Sequence, residues 1–293
     1  MKKLDQFFTK QEVANTCVKN LLSIIEIKSD DKFLEPSAGN GDFVRALKVC
    51  GHKCQAIDLE PKNKNIQQGN FFHYKGKEQI VFGNPPFGKR SKLALEFFHH
   101  AATFADVIAF IVPVQWKKWS IQSKLPRGWR LVLDETLEEA SFYLPEGKDY
   151  KVRCCFQVWT TRAEGEDLKL REKPCSFHPD FEMWLYNNTR GAEKFFDYDW
   201  DVAVPRQGYV DYSRREFEKS KCEKTTQWIF FKAKNEMVLR RIINFDFFSL
   251  SKKNLITPGW GKADFVAAYK EAFSKKDQQP SQPSDREKKH SMS

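Results

Sequence analysis

Residues 33–59, FLEPSAGNGDFVRALKVCGHKCQAIDL, decide the fold class. Phe33-Leu34-Glu35 reads as a short strand and Asp42 to Val49 as a helix, with Pro36-Ser37-Ala38-Gly39-Asn40-Gly41 as the turn between them. Lys53 to Leu59 follows as a second strand. A strand, a glycine turn and a helix leading into a further strand predict a parallel pair with a crossover, because a hairpin has no room for the helix. Glycines in such a turn let backbone pass close to a ligand held at the start of the helix.

The same alternation extends outward in both directions. Upstream, Val13, Ala14, Cys17, Val18, Leu21, Leu22 and Ile25 recur at helical spacing, so an amphipathic helix precedes the sheet. Downstream, Gly69 to Phe72 reads as a weak third strand, and residues 79–87, QIVFGNPPF, as a buried strand stopped by two prolines. A helix from about Ser91 to Phe104 leads to Val107 to Val112, apolar throughout as a central parallel strand should be. Trp129 to Leu133, Ser141 to Leu144 and Val152 to Trp159 complete the set, the last two expected as an antiparallel hairpin. The predicted class is therefore α/β, a Rossmann-like, mainly parallel sheet with a terminal antiparallel hairpin and a smaller C-terminal region. Residues 1–162 form the sheet domain and 163–275 a folded region rich in aromatics, and 276–293 is too poor in apolar groups to repay ordering.

Composition narrows the partner. The 293 residues are 41% apolar and carry a net charge of +10, which favours an anionic partner, nucleic acid first. Residues 1–162 hold 25 basic and 18 acidic side chains, whereas 163–275 hold 20 and 18, so the excess lies with the sheet domain. No apolar run has the length of a membrane span and no signal-peptide core follows the start, which predicts an intracellular, cytoplasmic protein, in a bacterial or viral-host context. Seven cysteines without CxxC spacing indicate neither a disulfide framework nor a metal site.

The chemistry concentrates at strand ends. Asp58 closes the second strand 17 residues after Gly41, where an open sheet places a carboxylate to accept ribose hydroxyls. Asn84-Pro85-Pro86-Phe87 is the most specific feature. Its prolines fix the backbone, so the Asn84 carboxamide and the Pro85 carbonyl can act as two acceptors beside one amine, with the Phe87 ring stacked on a planar base. Two acceptors on the hydrogens of a conjugated amine favour the pyramidal form that can attack an electrophilic methyl.

On these residues the chain resembles the S-adenosylmethionine-dependent amino-methyltransferases, specifically the N6-adenine enzymes with an Asn-Pro-Pro-aromatic tetrapeptide and a C-terminal target-recognition region. The resemblance covers residues 4–162 and implies a class I methyltransferase fold, S-adenosyl-L-methionine as cofactor and no metal. It also implies roles. Asn84, Pro85, Pro86 and Phe87 would be catalytic. Asp5-Gln6-Phe7-Phe8-Thr9 resembles the N-terminal element at the cofactor's methionine portion, with Lys10 where proline is usual. Glu35, Pro36, Ser37, Ala38, Gly39 and Gly41 correspond to the cofactor loop, and Asp58 to the ribose acid. Asn70, followed by Phe71, occupies the position that contacts the cofactor's adenine, usually Asp. The implied activity is methylation of the N6 amine of a flipped adenine, with DNA favoured over RNA. Protein glutamine methylation and a non-catalytic nucleic-acid-binding module are the competing functions, the last separated by whether the cofactor binds.

Trp116-Lys117-Lys118-Trp119, with Lys124, Arg127, Trp129 and Arg130, interleaves cations and aromatics and is expected to hold phosphates and stack bases, although a half-buried helix with a solvated basic face fits the same pattern. Tyr143 and Tyr150 flank a turn where the resemblance places a ring over the flipped base. Cys154-Cys155 lacks the preceding proline of a cytosine-C5 nucleophile, and His178-Pro179-Asp180 reads as a loop.

Overall fold

A computed structural model of the chain describes residues 7–163, 165–208, 211–252 and 258–273. It divides into two units, Met1–Lys173 and Pro174–Ser293. The first contains β1 (Phe8–Thr9), α1 (Gln11–Ile24), β2 (Phe33–Glu35), α2 (Asp42–Val49), β3 (Cys54–Asp58), β4 (Gln67–Gln68) and β5 (Ile80–Gly83). It continues through α3 (Lys92–Ala101), β6 (Val107–Pro113), α4 (Trp119–Gln122), β7 (Arg130–Thr136), β8 (Phe142–Tyr143), β9 (Asp149–Tyr150) and β10 (Cys154–Thr160).

Seven of these strands form one sheet in the order β4-β3-β2-β5-β6-β10-β7. The first five are parallel, and β10 runs antiparallel between β6 and β7. This is a Rossmann-like α/β fold, a mainly parallel sheet with one antiparallel strand inserted near an edge. The order reverses between β2 and β5: α2 carries the chain outward to β3 and α3 carries it the other way to β6. Right-handed crossovers in opposite directions put those two helices on opposite faces and leave a crevice at the carboxyl ends of β2 and β5. All seven residues of β6 are buried, as its central position requires. α1 buries Ala14, Cys17, Val18 and Leu21 and packs on α2.

Three expectations need correction. Gly69 to Phe72 is not a strand: β4 lies just before it, and Phe71–His73 is a 3-10 turn capped by the Asn70 side chain, which accepts from the Phe72 N–H at 3.0 Å. A local side-chain acceptor here replaces a ladder. The terminal antiparallel pair is β7 with β10, whereas β8 pairs with β1 and β9 in a separate three-stranded sheet. The first unit also extends past residue 162 to Lys173, because Asp167 accepts from the Leu131 N–H and the buried Lys169 Nζ donates to the Pro126 carbonyl at 2.9 Å. The expected tail 276–293 lies outside the described residues.

The second unit has an antiparallel sheet of β11 (Phe181–Tyr186), β12 (Val202–Gln207) and β13 (Gln227–Ala233), with β13 central. Side chains alternate across β13. Ile229 and Phe231 join a core with α5 (Glu236–Ile243), α6 (Phe247–Lys252) and α7 (Lys262–Phe273), while Trp228 and Phe230 join Tyr186 and Phe196 on the other face. All four are fully buried, so both faces of this small sheet are covered.

Candidate active site

A cavity of about 260 Å³ opens at the carboxyl ends of β2, β3 and β5 in the first unit. Pro36, Ser37 and Gly39 of the glycine turn line one side, and Asn84, Pro85 and Pro86 another. The turn closes tightly: the Gly41 N–H meets the Ala38 carbonyl at 2.6 Å, and Gly39 and Gly41 have φ of +47° and +82°. A Cβ on Gly39 would lie 3.0 Å from the Phe8 ring, so space and conformation both call for glycine there.

Asp58 holds this turn in place. One carboxylate oxygen accepts from the Gly39 N–H at 2.8 Å and the other from the Glu60 N–H at 2.7 Å. An ionised carboxylate has about four acceptor positions, so about two remain toward the cavity that Asp58 lines. Ser37 Oγ donates to the Asn84 backbone carbonyl at 3.1 Å, tying the glycine turn to the tetrapeptide.

The Asn84 carboxamide is half engaged. Its Nδ2 donates to Thr9 Oγ1 at 3.1 Å, which orients the plane of the amide. Its Oδ1 is buried and has no hydrogen-bond partner among the described residues. An unsatisfied buried acceptor costs about 1–3 kcal/mol, so a site that keeps one is set to receive a donor. Gly83, at φ +133°, delivers Asn84 to this position, and a Cβ there would press on Glu35 Cγ at 3.1 Å.

The remaining sequence-predicted residues divide. Glu35 and Ala38 lie beneath the cavity wall, 2% and 4% exposed. Burial pushes the Glu35 carboxyl well above the ordinary carboxylate range, and the charges of Asp42 and Asp58 add to the effect. Asn70 and Phe71 line the cavity, but the Asn70 carbonyl oxygen already accepts from Phe72. Lys10, where proline was usual, donates its N–H to the Ser141 carbonyl at 3.0 Å and its Nζ to Asp149 at 2.8 Å, a backbone bond that proline could not make.

The aromatic assignments change. Phe87 is 7% exposed, packs edge-on against Phe7 at 5.3 Å and does not line the cavity, whereas Phe7 and Phe8 do. Tyr150 stacks on the other side of Phe7 at 5.1 Å, while the Tyr143 hydroxyl accepts from Asn40 Nδ2 at 3.0 Å and so braces the glycine turn. Leu93 and Phe97 of α3 also face the cavity. Their helical i, i+4 spacing was the available signal, but the sequence did not say which face of α3 the cavity meets.

The stretch from Trp116 to Arg130 is not an exposed stacking surface. Trp116 and Trp129 are buried, each packed against Phe98, which also meets Trp159. Lys117 Nζ is drawn inward to Asp134 Oδ1 at 2.8 Å, and the same oxygen accepts from Gln157. Lys118, Lys124 and Arg127 are exposed. Cys154 and Cys155 are fully buried in β10, and burial pushes both thiols up, away from nucleophilic thiolate. The described residues contain no group of three His, Cys, Asp or Glu side chains placed to hold a metal, and no helix among them is long and apolar enough to cross a membrane.

No family model and no curated protein matches the chain. Solved structures do. A Thermoplasma acidophilum protein is 15% identical over 55% of this chain and 93% of its own, with a TM-score of 0.42. The 23S rRNA methyltransferase ErmE is 15% identical over 55% of this chain and 71% of its own, with a TM-score of 0.39. The M protein of the type I restriction enzyme EcoKI is 19% identical over 58% of this chain and 47% of its own, with a TM-score of 0.41. The functional reading therefore rests on the geometry of the site.

Proposed function

We propose that the protein transfers a methyl group from S-adenosyl-L-methionine to the N6 amine of adenine in nucleic acid, DNA before RNA. The observation that carries this reading is the buried, unpartnered Asn84 Oδ1 at the wall of a cavity that also holds the glycine turn and Asp58. The residues fit the cofactor: Asp58 offers acceptors suited to a ribose diol, Pro36 to Gly39 offer a close backbone approach, and Asn70 and Phe71 a polar and an apolar edge for a purine. When bound, the cofactor supplies an electrophilic sulfonium methyl, so no covalent enzyme intermediate is needed.

The chain's own part is positioning. Asn84 Oδ1 accepts one hydrogen of the target amine, the Pro85 carbonyl is assigned the other, and Thr9 fixes the amide plane through Nδ2. Drawing both hydrogens to one side turns the nitrogen lone pair toward the methyl. Phe7, backed by Phe87 and Tyr150, presents the ring against which a planar base packs. Asn84 Oδ1 is buried in the cavity wall, out of reach of a base stacked in a duplex, so the target must leave its stack. Lys118, Lys124 and Arg127 are assigned to the nucleic-acid backbone, and the second unit to recognition of the target's surroundings.

The test is to incubate the full chain with methyl-labelled cofactor and matched DNA, RNA and protein pools, then digest and identify the labelled product. Label in N6-methyl-2′-deoxyadenosine is expected. Label in N6-methyladenosine moves the substrate to RNA, label in glutamine replaces the reading, and cofactor binding without any transfer refutes it.

A further inference from the structure

The tetrapeptide is followed by a loop that the proposed reaction leaves unused. The chain leaves the cavity wall at Pro86 and returns to it at Leu93, so the loop between them, with Phe87 and Ser91 buried, starts and ends at that wall. Within them Arg90 and Ser91 have φ of +55° and +60°, two consecutive left-handed residues, neither a glycine. L-residues with a Cβ avoid this region, so the surrounding structure must impose it. It does so at both ends. Ser91 is 1% exposed, its Oγ accepts from Gln115 Nε2, and its N–H donates to the Gly88 carbonyl at 3.2 Å. A Cβ on Gly88 would stand 2.8 Å from Leu93 Cβ, so the loop's other end is equally confined.

The consequence is a fixed backbone beneath two cations. Lys89 and Arg90 are both exposed, and neither has an ion-pair partner among the described residues. Their neighbours differ: Lys92 is paired with Glu96, and Lys117 with Asp134. A ligand that meets them has only side chains to order, because the backbone beneath is already imposed.

We infer that Lys89 and Arg90 form a phosphate clamp for the strand that carries the target base, gripping phosphodiesters beside the nucleotide inserted into the cavity. The inference rests on the proposed nucleic-acid reading and adds to it the residues that hold the backbone beside the cavity. Phosphate contacts of this kind position the strand and carry no sequence information. They leave a measurable mark, because each neutralised phosphate releases counterions and steepens the fall of affinity with salt.

The experiment measures binding of a labelled single-stranded oligonucleotide to the full chain across a salt series. Lys89→Gln/Arg90→Gln should lower the magnitude of the slope of log affinity against log salt by about 1.4, two phosphates at about 0.7 each. Arg90→Gly alone should lower it by about 0.7 while removing a left-handed side chain, so its folding is not at risk. Lys48→Gln/Lys53→Gln makes the same charge change at the opposite, amino edge of the sheet and should change the slope less than either. Affinity for S-adenosylhomocysteine should be unchanged in all three. A parental slope in the folded double variant, or an equal loss in the Lys48/Lys53 control, overturns the clamp while methylation by the parent leaves the proposed function standing. Failure of the parent to bind or methylate any nucleic acid refutes both.

Discussion

Replacing Asn84 by alanine separates catalysis from folding, because the two respond in opposite directions. Truncation removes the hydrogen bond to Thr9, a loss of about 0.5–1.5 kcal/mol for a neutral pair. It also removes the buried unpartnered Oδ1, whose burial costs about 1–3 kcal/mol. The variant should therefore be as stable as the parent or slightly more so. Its rate should fall steeply. A preorganised polar contact to the reacting group in a water-poor site contributes about 10²–10³ in kcat, or roughly 2.7–4 kcal/mol, and Asn84 supplies one of two. Thr9→Val is the companion variant: it keeps Oδ1 but leaves Nδ2 without its acceptor, so kcat should drop by about tenfold, the scale of one hydrogen bond. The assay pairs thermal unfolding and calorimetric cofactor affinity with transfer of labelled methyl to oligonucleotide at saturating cofactor. A folded Asn84→Ala protein that keeps its parental kcat would falsify the catalytic assignment. One destabilised by more than about 3 kcal/mol would make Asn84 a structural residue.

Asp58→Ala should weaken cofactor binding by about 1–3 kcal/mol, the scale of a lost charge-assisted hydrogen bond, and unchanged affinity by calorimetry moves the ribose role to Glu60. Glu35→Gln probes the buried carboxyl beneath the cavity. Its native pKa is raised by burial, so its contribution is complete below the unfolded value of about 4.3 and is lost as pH rises through the native one. The glutamine variant should gain stability relative to the parent as pH rises across that interval, and a constant difference in Tm across pH contradicts the buried neutral acid. Asp31 and Arg162 form a bidentate, shielded pair at 2.5 and 3.0 Å, and Asp31→Ala should cost about 3–5 kcal/mol by leaving Arg162 without its carboxylate. Burial raises the Asp31 carboxyl, but the Arg162 and Lys28 hydrogen bonds outweigh it and hold it below the ordinary range. Its contribution is therefore full above about pH 3.9 and lost as pH falls through the native value, so parent and variant should converge in stability in acid.

The features legible in the sequence were those set by neighbours along the chain. α2 spans the expected Asp42–Val49 and β2 the expected Phe33–Glu35, because a glycine turn and a helical period mark them locally. β6 was legible for a related reason: a strand buried on both faces needs no alternation, only apolar residues throughout. What misled was long-range. Trp116-Lys117-Lys118-Trp119 fits a basic stacking surface as well as a packed turn, and Phe98 of α3, outside that stretch, packs against the buried Trp116. Phe87 was assigned to the cavity as the last residue of the tetrapeptide, yet it is buried, with Phe7, just before β1, packed against it. The pairing of β10 could not be read from adjacency either, since it enters between β6 and β7, an insertion that hairpin logic does not anticipate.

Where the chain departs from local preference is itself informative. Between residues 83 and 91 lie Gly83 at φ +133°, the orphaned Asn84 Oδ1 and the left-handed pair Arg90 and Ser91. The orphaned acceptor costs about 1–3 kcal/mol, and two left-handed L-residues add about 2–4 kcal/mol. Burial next to this segment offsets part of that cost. Ile80, Val81 and Phe82 are each 0–1% exposed, and full burial of such side chains contributes about 1.5–3 kcal/mol apiece. The strain begins where that strand ends and stops where α3 begins, so it is confined to the segment beside the cavity wall. A chain shaped for packing alone would relax each of these features: glycine at residue 90 removes strain, and an apolar side chain at residue 84 removes the orphan. That both survive at one strand end, beside a cavity whose other wall is the glycine turn, is what the proposed amine acceptor and a pair of cations on an imposed backbone require.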